Sequence, residues 1–319
     1  MNDIETLGIR LGGVDYAQGP GGNVSVKHAG TLFVKASGRR LRDLGQPGTV
    51  AEVPLDLAER ALGGNDADAK AVFDRTPRPS LETYFHALGG RVVAHTHALG
   101  ALLVACSTSP RTDALLVPYE RPGPGLAAAV ARVLGERTTG VLILQSHGLL
   151  VYADTVEEAV QHTLRTDQEC RDRFGALPAF DAWIAALPAV TALPGGGCYS
   201  ALPVRPMPHV GYLCPDAVVY ATVLRVPTLG GAEALAQRAL VTLGRPVVLV
   251  DDDGRRVHCA RTVDELEQAR EVALAHDWIE DVLALRGEAN YLPGDEPAKI
   301  VSMPSEQYRL ELTRKSAAC

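Results

Sequence analysis

Cysteine is scarce in this chain and shows no pairing pattern. Its six cysteines, Cys106, Cys170, Cys198, Cys214, Cys259 and Cys319, include no C-x-x-C pair. Such spacing excludes a zinc ribbon and outlines no compact disulfide framework, so reduced thiols and a cytoplasmic setting are expected. Long apolar runs are missing too. A membrane helix needs roughly 18–20 apolar residues, and Val247 to Val250 is only the length of a short buried strand. The first residues, Met-Asn-Asp-Ile-Glu-Thr, lack the positive stretch and apolar core of a signal peptide, so none is expected. Positive charge is in deficit: the net charge is −7 and the pI about 5.7. Dense basic clusters occur only at Arg39-Arg40-Leu41-Arg42 and Arg255-Arg256, so no nucleic-acid partner is expected. No G-x-G-x-x-G follows a strand pattern, and Gly195-Gly196-Gly197 follows a proline, which speaks against a dinucleotide-dependent oxidoreductase.

What is present suits a globular chain of more than one core. The 319 residues are 46% hydrophobic and 22% charged, an ordinary composition with length to spare for two domains. The first half alternates strand and helix patterns. Two β-branched stretches, Asn23–Lys27 and Leu32–Ala36, flank His28-Ala29-Gly30 as a hairpin would. Arg91–Thr96 and Gly140–Gln145 are glycine-bounded apolar runs that predict buried strands. Leu81–Leu88 and Leu126–Leu134 predict helices stopped by glycine, and Thr155 opens a capping box with Glu158 for a helix to about Phe174.

The stretch Pro188–Gly197, with two prolines and three consecutive glycines, marks the domain boundary. Beyond it, Ala217–Thr222 predicts a strand and Gly231–Leu243 a helix. Pro246–Asp251 and Arg256–Ala260 predict a hairpin, and Thr262 opens a capped helix to about His276. The expectation is α/β throughout, with domains at 1–187 and 198–319 and the chemistry in the first.

His95-Thr96-His97 closes one apolar strand, and alternate strand residues share a face, so both imidazoles can meet one cation. Ser146-His147-Gly148 closes a second apolar run. Three imidazoles leave a fourth position for water or substrate, as in a catalytic zinc site. An all-nitrogen set favours zinc and leaves cobalt, nickel and manganese open. Spacing alone leaves an incidental histidine pair equally open.

Five segments then occur in order: Gly21-Gly22-Asn23-Val24-Ser25-Val26-Lys27, Phe33-Val34-Lys35-Ala36-Ser37-Gly38, Pro79-Ser80-Leu81-Glu82, Val92-Val93-Ala94-His95-Thr96-His97 and Gln145-Ser146-His147-Gly148. Together they resemble the class II aldolase/adducin family over about residues 5–180. The second and third are similar to the branch containing the aldolase half of bifunctional rhamnulose-phosphate aldolase/dehydrogenases. The C-terminal part, ending in Ser305-Glu306-Gln307-Tyr308-Arg309, resembles an extension of related two-domain members.

The resemblance implies an α/β/α catalytic core in a homo-oligomer, often a tetramer, acting on a sugar or sugar phosphate. By it, His95, His97 and His147 hold one divalent metal ion and Glu82 is the acid/base. Burial would raise the Glu82 pKa toward the working range. Asn23, Ser37, Gly38 and Ser80 match positions around a phosphate, while Asn23 and Gly38 could equally serve turns and Ser80 a helix cap. Tyr119 falls where some members carry a tyrosine that protonates the leaving aldehyde. Lys35 would steer an anionic substrate or stand solvated on its strand. His86 is expected to be structural. Leu81 replaces a second serine found in several sugar-phosphate aldolases. The implied reaction is retro-aldol cleavage of a ketose or ketose phosphate through a metal-stabilised enediolate. Epimerisation, decarboxylation and dehydration use the same scaffold. A non-catalytic adducin-like interaction module is the alternative of a different class.

Overall fold

A computed structural model describes residues 2–193, 196–203 and 211–308 of the chain. His209, Cys319, Gly195 and the Arg309 end of the last motif lie outside the described residues. The chain forms two compact units, Met1–Leu177 and Pro178–Cys319, each with its own sheet.

The first unit holds seven strands: β1 (Asn23–His28), β2 (Thr31–Lys35), β3 (Val50–Pro54), β4 (Val92–Thr96), β5 (Leu115–Val117), β6 (Gly140–Leu144) and β7 (Gly148–Ala153). Their order is β3-β2-β1-β4-β7-β6-β5, antiparallel throughout except for the parallel pair β5 and β6. The β1–β2 hairpin turns on Ala29 (φ 47°) and Gly30 (φ 74°). Two successive left-handed residues give the turn whose twist matches its flanking strands.

Strand β4 lies between β1 and β7, and its register fixes two transverse rows. Asn23, His95 and Leu150 form one row; Ser25, Val93 and Tyr152 form the next but one along the strands. Side chains two residues apart share a face, so both rows face the same side. On that side Val34, Val93, Leu150 and Tyr152 pack with Tyr84 and Phe85 into one buried cluster that also takes in Leu126 and Val130.

Two expectations change here. The helix predicted over Leu81–Leu88 shortens to Thr83–His86: Leu81 and Glu82 form a preceding turn, in which Ser80 Oγ accepts from the Glu82 N–H at 3.3 Å. The strand ending at Gln145 also does not stop the sheet. The chain reverses through Ser146 (φ 53°) and returns as β7, which inserts between β6 and β4. Gly148–Ala153 is buried along its whole length and shows no apolar–polar alternation to announce it. Thr155 makes its capping box, and the helix it opens runs Val156–Asp172.

In the second unit, β8 (Thr191–Ala192), β9 (Cys198–Leu202), β10 (Thr222–Arg225), β11 (Val247–Val250) and β12 (Arg256–Ala260) order as β10-β11-β12-β9-β8. Helix Ala232–Leu243 packs Ala236, Ala239 and Leu240 on Val247, Leu249, Val257 and Cys259. The strand expected at Ala217–Thr222 is instead helix Pro215–Tyr220, with Pro215 in its first turn, where the missing N–H costs nothing. The β-branched run Val218-Val219 favours strand locally and is overridden by burial on the helix. Strand β10 begins only at Thr222. Helix Val263–Ala284 extends past His276, and Glu265 bonds the Arg261 N–H at 2.8 Å, so the box at Thr262 is half made.

The units divide at Leu177/Pro178, ahead of the Pro188–Gly197 stretch. Helix Phe180–Ala185 belongs to the second unit, where Phe180 meets Trp278 edge-on and Trp278 Nε1 donates to the Pro178 carbonyl at 3.1 Å. Among the described residues, no helix is long and apolar enough to cross a membrane.

Candidate metal centre

The C-terminal end of β4 and the β6–β7 turn bring three imidazoles together. Ring centroids lie 5.1 Å apart for His95 and His97, 4.9 Å for His95 and His147, and 5.8 Å for His97 and His147. One ligand nitrogen from each falls within 4.8 Å of the others, and all three residues are buried. His97 is held by its backbone: its N–H donates to Tyr16 O at 2.8 Å, and the following Leu99 N–H donates to Asp15 O at 2.9 Å. Asp167, from helix Val156–Asp172, accepts from the N–H groups of Gly100 and Ala101, capping the helix that starts just past His97.

The protonation pattern of His95 suits a ligand. Its Nδ1 lies 2.9 Å from the Leu149 carbonyl, which can only accept, so Nδ1 carries a proton and Nε2 is the nitrogen turned toward the other two rings. That Nε2 is buried and makes no hydrogen bond. A backbone carbonyl fixing the tautomer of a ligating histidine is a recurrent outer-shell arrangement. The donor set thus fits a divalent cation.

Glu82 stands against these rings. Its Oε1 is 3.1 Å from His147 Nε2 and 3.4 Å from His95 Nε2. Burial pushes its carboxyl up, but the neighbouring His95 and His147 outweigh that and hold it well below the usual carboxylate range. The expected upward shift therefore does not appear, because the site pairs the carboxylate with two imidazoles rather than isolating it in apolar surroundings. Burial lowers His147 as well, with the Glu82 bond opposing.

The residues read as phosphate neighbours come from three segments that meet beside the histidines. Ala36 bridges to Pro79, Ser37 N–H donates to Arg78 O at 2.9 Å, and Ser80 N–H donates to Lys35 O at 3.3 Å. These bonds join the Ser37-Gly38 turn (Gly38 φ 72°) to the segment carrying Ser80 and Glu82. Asn23, opposite His95 in the sheet, is wholly buried, and neither its side-chain nitrogen nor its oxygen has a hydrogen-bond partner. Leaving a carboxamide so costs about 1–3 kcal/mol per group, which marks it for a ligand or water.

Lys35 departs from its reading as a solvated strand residue. It is buried, and its Nζ donates to Pro20 O at 2.8 Å and to Arg39 O at 2.6 Å, tying the Gly19–Gly22 loop to the turn after β2. Tyr119 is partly exposed on the loop after β5. The far end of that loop approaches the Glu82 segment, since a Cβ on Gly123 would lie 3.8 Å from Leu81 Cδ2.

Sequence reasoning left out Ser25, Tyr152 and Asp167. Ser25 lay inside a strand pattern, Tyr152 on the unannounced strand β7 and Asp167 mid-helix, so only the register and the tertiary packing expose them. His86 Nδ1 shares a 2.7 Å hydrogen bond with the Ser25 hydroxyl, and burial pushes its pKa down to about 3. A second buried group, His276, Asp277 and Glu280, also clusters in the second unit. There, Arg256 Nη1 sits 2.6 Å from Asp277 Oδ2 and Leu213 N–H donates to His276 Nε2, so a cation would compete with a guanidinium and a filled lone pair.

Among solved structures, the chain resembles the N-terminal class II aldolase domain of a conserved Thermoplasma acidophilum protein. Identity is 27%, over 54% of this chain and 92% of that one, with a TM-score of 0.47. It also resembles L-fuculose-1-phosphate aldolase from Thermus thermophilus, at 18% identity, 59% and 96% coverage and a TM-score of 0.40. A curated relative, the uncharacterized oxidoreductase YuxG of Bacillus subtilis strain 168, is 33% identical over 103 residues. The match takes in 29% of this chain and only 15% of that relative's length. The model of the class II aldolase and adducin N-terminal domain matches residues 2–173, more than half of the chain. The chain belongs to the class II aldolase and adducin family.

Proposed function

We propose that this chain is a divalent-metal-dependent carbon–carbon lyase, cleaving a ketose or ketose phosphate by a retro-aldol reaction. The observation that carries the reading is the buried cluster of His95, His97 and His147, with the Glu82 carboxylate against the Nε2 atoms of His95 and His147. His95, His97 and His147 would hold the ion, with zinc preferred for an all-imidazole set. When bound, it supplies positive charge against the oxyanion character that develops as the carbon–carbon bond breaks.

The chain's own residues do the rest. Glu82, ionised and within hydrogen-bond reach of the rings, takes or returns a proton at the substrate carbon next to the carbonyl. Asn23 offers two donors and an acceptor to the substrate's polar end, and the Ser37, Gly38 and Ser80 segment closes around a phosphate or hydroxyl there. Lys35 holds that cradle in shape through Pro20 and Arg39. Tyr119, on the loop after β5, would take the proton from the substrate hydroxyl that becomes the aldehyde carbonyl, while Glu82 returns one to the carbon left behind. A sugar or sugar phosphate suits a cradle of short polar side chains beside a cation. A cytoplasmic homo-oligomer, of the two-domain branch with the chemistry in the first domain, completes the proposal.

Elemental analysis of wild type and His97→Ala, followed by a screen of ketoses, ketose phosphates and keto-acid phosphates, tests it. About one equivalent of metal lost in the variant, with aldehyde release from a ketose, is the expected result. Turnover without aldehyde release would move the reaction to epimerisation, decarboxylation or dehydration. A wild type that takes up no metal would sink the lyase and favour an interaction module.

A further inference from the structure

Helix Thr83–His86 is four residues long, with Glu82 at its N-terminal boundary. A single turn does not hold itself in water, since nucleating a helix is unfavourable and few residues are left to repay it. The position of Glu82 must therefore come from tertiary contacts.

Two such contacts stand out by their placement in the sheet. Ser25 and Tyr152 flank Val93 in one transverse row, on the same face as the Asn23–His95–Leu150 row that carries the metal ligand. Ser25 Oγ and His86 Nδ1 share a hydrogen bond of 2.7 Å, and Tyr152 Oη donates to the Phe85 carbonyl at 2.7 Å; both bonds are buried. The helical turn thus straddles β4, tied to the strand on each side of it. Phe85 fills the space beneath, its ring edge-on to His95 with centroids 5.5 Å apart.

We propose that Ser25, His86 and Tyr152 form a positioning frame that sets the Glu82 carboxylate against the metal-binding imidazoles. The inference rests on the metal-site reading above and assigns three residues that touch neither metal nor substrate. A sheet register is rigid, so anchoring the turn two residues along the strands from His95 ties the carboxylate to the ligand through short, buried links. Losing one link leaves the three imidazoles in place while freeing the carboxylate to wander.

The test is the visible spectrum of the full-length protein, stripped with a chelator and reloaded with one equivalent of Co2+. Wild type, Glu82→Gln, Ser25→Ala, Ser25→Thr, Tyr152→Phe and His86→Ala are compared. The expected result is a band shifted in Glu82→Gln, shifted the same way in Ser25→Ala, Tyr152→Phe and His86→Ala, and returned toward wild type in Ser25→Thr. Cobalt stoichiometry stays at one per chain in all of them. Near-ultraviolet circular dichroism identifies any variant that fails to fold, and the isosteric Tyr152→Phe keeps the comparison open in that event. Wild-type spectra in the folded frame variants, beside a shifted Glu82→Gln, overturn the frame alone. Absence of cobalt uptake by wild type, or an unshifted Glu82→Gln, overturns the metal-site reading and the frame with it.

Discussion

Gly148 packs directly on the backbone of Thr96: a Cβ at position 148 would lie 2.5 Å from the Thr96 carbonyl oxygen, 3.2 Å from His97 Cδ2 and 3.4 Å from His95 Cε1. The residue also sits at φ 151°, at the edge of the range that favours glycine. Its neighbour His147 can approach the other two rings only because nothing occupies that space.

Gly148→Ala should therefore be damaging out of proportion to one methyl group. The backbone contact cannot be relieved by a rotamer, so strands β4 and β7 must part locally. A loss of about 2 kcal/mol or more in stability is expected, together with weaker metal retention, read by chemical denaturation and by metal content after dialysis. Wild-type behaviour in both would mean that the turn has slack the geometry does not show.

Glu82→Gln and His97→Ala should separate chemistry from binding. His97→Ala removes one of three ligands and should lose both metal and turnover. Glu82→Gln keeps the ligands and should retain the ion while turnover drops by two orders of magnitude or so, the usual scale for a lost acid/base. Metal analysis beside an aldehyde-release assay distinguishes them, and full activity of either variant removes that residue from the mechanism.

Acid should weaken the first unit well before its carboxylates titrate. His86 is pushed down to about 3 by burial, against about 6.5 in an unfolded chain. Between those values the unfolded chain binds the proton and the folded chain does not. The stability is thus whole above pH ~6.5 and falls by about 1.4 kcal/mol per pH unit below it. Glu82, also held low, adds a loss in the same direction only below about pH 4. Urea unfolding of the metal-free protein at pH 7.5, 6.0 and 5.0 should show this slope, reduced in His86→Gln. Identical slopes for the two proteins would remove His86 as its source.

A chain cut after Leu177 keeps all seven strands of the first sheet and the three histidines. It should fold and bind one equivalent of metal, as measured by circular dichroism and elemental analysis. A folded fragment that binds metal yet turns nothing over would show that the second unit completes the substrate site. Failure to fold would show that the first sheet depends on the rest of the chain.

The three-histidine cluster was legible in the sequence because its pattern is local: His95 and His97 share a strand face by alternation, and His147 follows a glycine-bounded apolar run. The β1–β2 hairpin and the Thr155 cap were legible for the same reason, each being fixed by residues a few positions apart. Strand β7 was not, since a strand buried on both faces carries no alternation. Helix Pro215–Tyr220 was misread because Val218 and Val219 prefer strands and only their burial decides otherwise. The low Glu82 pKa was out of reach as well. It depends on which rings face the carboxylate, and only packing determines that. Lys35 shows the converse: a lysine on a strand suggests solvent, and here the side chain is buried with its Nζ on two carbonyl oxygens.

The Asp167 cap on the helix after His97 has a bearing on how the protein is made. The segment that carries His95 and His97 leaves the ribosome well before His147, and Asp167 emerges later still. During synthesis the nascent chain holds at first only two imidazoles, on a strand whose neighbour β7 does not yet exist. A stray cation in the cell thus meets an incomplete and poorly chelating pair. On the proposed reading, a cation held by all three nitrogens could be bound only once the whole first unit has closed.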